Sequence, residues 1–145
     1  MSSVRTGQPL QIGGLLRSAL REVRERIYSG VVEAGFDDLG PAHVTLFRWP
    51  GPDGVRPTEL AASTDLSKQT VNGLLRDLER REYLRLDVDE TDGRARIIRL
   101  TPKGKRLHRA AIRAHSEVEE DWADRLGRRR LDELRRLLTD LAETR

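Results

Sequence analysis

Between Ser67 and Gly104 the spacing of apolar residues changes twice, and few folds accommodate both changes in under forty residues. Val71, Leu74, Leu75 and Leu78 fall at i, i+3, i+4 and i+7, one stripe of a helix that Ser67 can cap. Leu84, Leu86 and Val88 then alternate, predicting a strand with these three on one face; residues 89–94 form the loop and 96–100 the return strand. Ile97 interrupts the alternation and leaves the register of that strand open. Thr101 and Pro102 restart a helix, with a hydroxyl at the cap and proline in the first turn. The chain must therefore make a helix, a tight hairpin and another helix with almost no linker.

The flanking segments are helical. Ile12, Leu16, Ala19, Leu20, Val23, Ile27 and Val31 predict a long first helix over 10–34, with Gly35 available to end it. A short second helix starts at Gly40-Pro41 and turns Val44, Phe47 and Leu46 inward. Residues 49–54 form a loop. Pro57 opens a third helix with Leu60 and Ala61 inward, and Thr64-Asp65 connects it to the helix capped by Ser67. Two short helices joined this way make a helix-turn-helix. The fifth helix carries Leu107, Ala111, Ala114, Val118, Trp122 and Leu126 on one face. After Gly127 and three arginines, a sixth repeats Leu131, Leu134, Leu138 and Leu141, joined by Leu137. Residues 1–9 show no pattern and are expected to form a loose arm. The expected class is mostly α with a small β-hairpin wing: a winged helix-turn-helix head plus long N- and C-terminal helices. The outer stripes are too long for the head to cover, and a two-fold homodimer is the commonest remedy.

Composition removes other classes. The chain has no cysteine, which excludes disulfides and thiolate metal sites and fits a reducing cytoplasm, the expected location. No apolar run reaches membrane-spanning length and no signal-peptide pattern opens the sequence. No phosphate-cradling glycine loop, no paired nucleophile and base, and no metal-ligand set is visible, so neither catalysis nor a cofactor is expected. His108 and His115 lie seven apart on one helix face and read as part of a basic stripe.

Charge layout points to a polyanion. From Gly93 to Ser116 there are eight Arg or Lys residues and no acid, although the net charge of the chain is only +3. The fourth helix offers Ser67, Lys68, Gln69, Thr70, Asn72 and Arg76 on the face opposite its apolar stripe, with Gly73 leaving room for close approach. Gln and Asn can make paired hydrogen bonds to adenine edges in a major groove, and Lys can reach guanine or phosphate. On the hairpin, Arg94 sits at the tip, where an arginine can enter a narrow minor groove. Asp92 can fix the turn or hold Arg94, and either Arg96 or Arg99 can reach phosphate while the other pairs with an acid such as Asp87. Double-stranded DNA is the expected partner. A winged-helix module that binds another regulator would call for an apolar or acidic wing, which these arginines oppose.

The stretches "LGPAHVTLFRW", "TELAASTDLSKQTVNGLLRDLERREYL" and "DETDGRARIIRLTPKGKRL" resemble the MarR family of transcriptional regulators, over nearly the whole chain from about Leu15. The family wing carries Asp-x-Arg and then Leu-Thr-x-x-Gly, matched by Asp92, Arg94, Leu100, Thr101 and Gly104. One departure is Gly93, where the family often has arginine. The resemblance implies a single domain over 1–145, with dimerisation helices over 10–35 and 102–145 and a DNA-binding region over 41–100. It also implies a homodimer on a pseudo-palindromic operator, often with repression relieved by a small-molecule effector. In the family that effector often sits between the dimer helices and the head; the candidates here are Tyr28, Phe36, His43, Phe47 and Trp49.

Overall fold

A computed structural model describes residues 11–48 and 50–144; the expected arm over 1–9, and Trp49, lie outside them. The order is α1 (Ile12–Glu33), α2 (Pro41–Thr45), α3 (Pro57–Ala62), α4 (Lys68–Arg80), β1 (Leu84–Asp89), β2 (Asp92–Leu100), α5 (Pro102–Leu126) and α6 (Arg128–Glu143). This is the mostly helical, winged helix-turn-helix class that the sequence pattern predicts. The helix starts follow local chemistry. The Ser67 hydroxyl accepts the Thr70 N–H, and the Thr101 hydroxyl accepts the Gly104 N–H, each satisfying a donor that a helix N-terminus leaves free. At the end of α1, Ala34 takes the cap position and Gly35 lies one residue beyond.

The head packs around Val44, Leu46 and Phe47 of the second-helix region, Val71, Leu75 and Leu78 of α4, and Leu84, Ile98 and Leu100 of the hairpin. Ile27 and Val31 of α1 and Leu107, Ala111 and Ala114 of α5 close the core from the other side. The two long helices approach closely: a side-chain carbon added at Gly30 would stand 2.7 Å from the Ala114 methyl. Further along, Arg26 reaches Asp121 at 2.8 Å, and Glu22 accepts the Trp122 indole N–H at 3.1 Å and the Arg125 guanidinium at 3.0 Å. These bonds leave Trp122 and Leu126 half-buried, and Ala123 is the buried residue at that level.

The hairpin differs from the expected one. The turn is only Glu90-Thr91, and β2 begins at Asp92, so residues 92–94 belong to the strand and not to a loop. Leu84 pairs with Leu100, Leu86 with Ile98 and Val88 with Arg96, but Asp89 pairs with Asp92, so a bulge follows Val88. The bulge reverses the side-chain alternation. Val88 is turned out to 53% exposure and Asp89 is turned in to 7%. The 49–54 loop also has a structural role, because the Gly54 N–H donates to the Ile98 carbonyl at 2.7 Å and the Ile98 N–H donates to the Val55 carbonyl at 2.9 Å. A third short segment thus lines the sheet edge.

Where β2 runs into α5, the backbone of Tyr83 lies so near the helix that a Cβ on Gly104 would stand 1.9 Å from its carbonyl oxygen. Gly104→Ala is therefore expected to lower unfolding stability by about 1–3 kcal/mol in urea denaturation, since the backbone must give way. Gly73→Ala, in mid-helix with nothing within 4 Å of an added carbon, should leave stability unchanged or raise it by about 0.5–1 kcal/mol.

Candidate nucleic-acid interface

The N-terminal turns of α4 present Lys68, Gln69, Thr70, Asn72 and Arg76, all exposed. Ser67 and Thr70 are committed to the cap, and their hydroxyls lie 2.8 Å apart. Lys68, Gln69, Asn72 and Arg76 make no side-chain hydrogen bond or ion pair with any described residue, and the space over Gly73 is open. Their donors and acceptors are free for an outside partner. The buried Val71, Leu75 and Leu78 hold the opposite face against the core, so the polar face cannot roll inward.

On the wing, Asp92 accepts the Arg94 backbone N–H at 3.1 Å. Of the two roles open to Asp92, this is the turn-fixing one, and the Arg94 side chain stays unpaired among the described residues. Arg96 and Arg99 are also exposed and unpaired there. Asp87 faces Arg85 at 3.7 Å instead of either arginine, because it stands on the solvent face opposite Ile97. Asp89 accepts the Thr91 N–H at 3.0 Å and the Thr91 hydroxyl at 2.8 Å, and pairs with Arg56 at the cap of α3. The hydrogen bonds from Thr91, aided by Arg56, hold its carboxyl below the usual range. The exposed tip carries Arg94 and Arg96 together with Glu90 of the turn and Asp92.

A second network braces α4 from behind. His43 Nδ1 accepts the Gly40 N–H at 3.1 Å, so Nε2 carries the proton and donates to Asp77 at 2.7 Å. Burial would raise the Asp77 carboxyl, but hydrogen bonds from His43 and Arg81 outweigh it and hold it below the usual range. Both nitrogens of His43 are thereby occupied. The other effector candidates among the described residues are also engaged: Phe47 is fully buried in the core, Tyr28 donates to the Leu39 carbonyl at 3.1 Å, and the Phe36 ring packs 6.3 Å from that of Tyr83.

The larger cleft lies elsewhere. It measures about 670 Å³ and is bounded by Leu20, Val23 and Arg24 of α1, Arg48 after α2, Leu60 of α3 and His115 of α5. His115 thus belongs to a cleft wall, not to a solvent-facing basic stripe. Arg24 is paired with Asp65 at 2.8 Å. Arg48 donates to the Thr45 carbonyl at 3.4 Å and has no carboxylate partner among the described residues; burial, and then the charge of Arg24, push its pKa down. The one sequence signal for this residue was a cation inside the apolar run "VTLFRW".

Residues 38–95, from before α2 to the wing tip, match the model of the MarR family. The winged-helix head of this chain is thus similar to that of the MarR family. Among solved structures it is similar to the transcriptional repressor CouR bound to a 23-mer DNA duplex, at 25% identity over 92% of this chain and 93% of that one, with a TM-score of 0.72. CouR from Rhodococcus jostii RHA1 bound to p-coumaroyl-CoA is 22% identical over 93% and 94% of the chains, TM-score 0.73. The S. aureus MepR–DNA complex is 22% identical over 94% and 100%, TM-score 0.72. No curated protein sequence matches the chain. At the joint between β2 and α5, "LTPKG" supplies the cap and the glycine that the close approach demands. Among the described residues no helix is long and apolar enough to cross a membrane.

The Asp89 pKa has a consequence for stability. A carboxyl held low in the folded state adds stability above the pH where free aspartate ionises, about 4, and that stability is lost as pH falls through its depressed value. Asp89→Asn should flatten the acid limb of a stability–pH profile taken by urea unfolding between about pH 2 and 6. It should also leave Arg56 unpaired.

Proposed function

We infer that this chain is a sequence-specific DNA-binding transcriptional regulator acting as a homodimer, a repressor released by a small-molecule effector. The observation that carries the reading is the pairing of two unsatisfied surfaces. One is the polar start of α4, whose Lys68, Gln69, Asn72 and Arg76 have no partners among the described residues; the other is the wing, whose Arg94, Arg96 and Arg99 are exposed and unpaired there, with Asp89 tied to Thr91 and Arg56. The first suits base edges in a major groove and the second suits phosphate and a minor groove. CouR and MepR in their DNA complexes share the fold.

The dimer reading rests on apolar surface left open in one protomer. Ile12, Leu15, Leu16 and Leu20 on α1 and Leu137, Leu138 and Leu141 on α6 are all exposed, with Ile12 and Leu141 at 69%. Helices over 10–35 and 102–145 would bury these rows against a second copy, and two recognition helices would then meet half-sites about 10 bp apart. The cleft beside Arg48 is the effector site of this reading. Its Leu20, Val23, Ile27 and Leu60 walls and the half-buried Arg48 guanidinium, unpaired among the described residues, suit an amphipathic anion whose charge sits by Arg48, away from Glu59 and the paired Asp65. Of the effector candidates Tyr28, Phe36, His43, Phe47 and Trp49, Phe47 lies in the core and His43 is bonded to Asp77.

Binding tests separate the parts. Arg94→Ala should weaken binding to specific and random duplexes alike and reduce the slope of affinity against salt by about one ion. Gln69→Ala and Asn72→Ala should instead cost about 1–3 kcal/mol on the preferred operator and little on random DNA, measured by fluorescence anisotropy on sites found by genomic footprinting. An equal loss on both kinds of DNA would rule out base reading by these residues. Leu137→Glu with Leu141→Glu should shift the sedimentation mass from dimer to monomer.

A further inference from the structure

His108 on α5 is the residue that neither the DNA face nor the effector cleft uses. Its Nε2 is buried with no hydrogen-bond partner among the described residues, and its ring lies against Gly51. A side-chain carbon at Gly51 would stand 2.6 Å from both Cε1 and Nε2, and Gly51 has φ +91°, so only glycine lets the chain pass there. The stretch that passes over the ring is also the one that edges the wing. Gly54 and Val55 bond to Ile98, and Asp53 Oδ1 accepts the Leu100 N–H at 2.9 Å.

We propose that His108 is a proton-operated latch on the wing: neutral, it lets the 50–54 loop close over it and brace β2; protonated, it forces the loop off. The neutral ring can keep its one proton on Nδ1, but the imidazolium must also carry an N–H on Nε2, where no described residue offers an acceptor, and a buried unpaired donor is costly. The charged groups around it decide what can answer that charge. On the loop the carboxylate of Asp53 favours the protonated ring, but it is already holding Leu100. Arg99 of β2 reaches toward Gly54, Lys105 and Arg109 flank the ring on α5 and are exposed, and Arg48 and His115 line the cleft that Gly51 also borders. The acids on that cleft are Glu59 and Asp65, the latter paired with Arg24, and no described carboxylate bonds the ring. Protonation therefore sets the ring and the Leu100 amide in competition for one carboxylate.

The direction follows from burial, which holds the imidazole below its ordinary value despite Asp53. The loop-closed state is favoured in full above the pH of a free imidazole, about 6.5, and is lost as pH falls below it, until the closed-state pKa is reached.

The test is amide hydrogen exchange of Gly54, Ile98 and Leu100 in the whole protein between about pH 8 and 5, corrected for the intrinsic rate of each amide. The open fraction at these three amides should rise by up to about tenfold per pH unit below about 6.5. His108→Phe, which cannot titrate, should abolish the rise, and His115→Phe should keep it. Constant protection in the wild type overturns the latch, as does the same rise in His108→Phe. If that variant does not fold, His108→Gln carries the comparison. No arm of the test uses DNA, so its outcome is independent of the regulator reading.

Discussion

The meeting of three elements at Tyr83 is the constraint from which the rest of the head follows. Its carbonyl accepts the Thr101 N–H at 3.2 Å, and the Thr101 hydroxyl donates to the neighbouring Glu82 carbonyl at 2.6 Å while accepting from Gly104. Its hydroxyl donates to Asp38 at 2.7 Å, and the Lys103 ammonium lies 4.2 Å above its ring. Glu82, at φ +65°, carries the chain out of α4 in a left-handed turn. One residue thus ties the end of the recognition helix, the foot of the wing and the start of the longest helix. Any loosening there would change the angle between α4 and the hairpin together.

From that joint the polar surface takes its form by subtraction. Cations at the back of α4 are absorbed: Arg80 and Arg81 by Asp77, and Arg81 further by the Asp38 carbonyl at 2.7 Å. Lys68 and Arg76 of α4 and Arg94, Arg96 and Arg99 of β2 are left without partners among the described residues. Exposed ion pairs contribute little stability, so the asymmetry is better read as placement of charge than as reinforcement of the fold. It is also why a chain of modest net charge can present a strongly positive face.

Much of this was legible in the residues. Ser67, Thr101 and Pro102 mark helix starts because capping is a local matter, and the Val71–Leu78 stripe identifies the buried face of α4 without any tertiary knowledge. What could not be read depends on contacts distant in sequence. The bulge that turns Val88 out and Asp89 in is fixed by Arg56, thirty-three residues away. The cleft is assembled from α1, α3 and the chain after α2, none of which shows a concave surface alone. Phe47, His43 and Tyr28 drew notice as large or titratable side chains, and each is used internally. His108 read as one more basic residue because its burial is caused by Gly51, on another segment.

The tie between Arg56 and Asp89 has a mechanical meaning. It fastens the far end of the hairpin to the entrance of the helix-turn-helix, at the opposite end from Tyr83, so the wing is pinned at both ends. A hairpin held this way behaves as the fixed jaw of a caliper. On the proposed DNA-binding reading, such a wing would measure the step between adjacent grooves of a duplex and penalise one that is over- or under-wound.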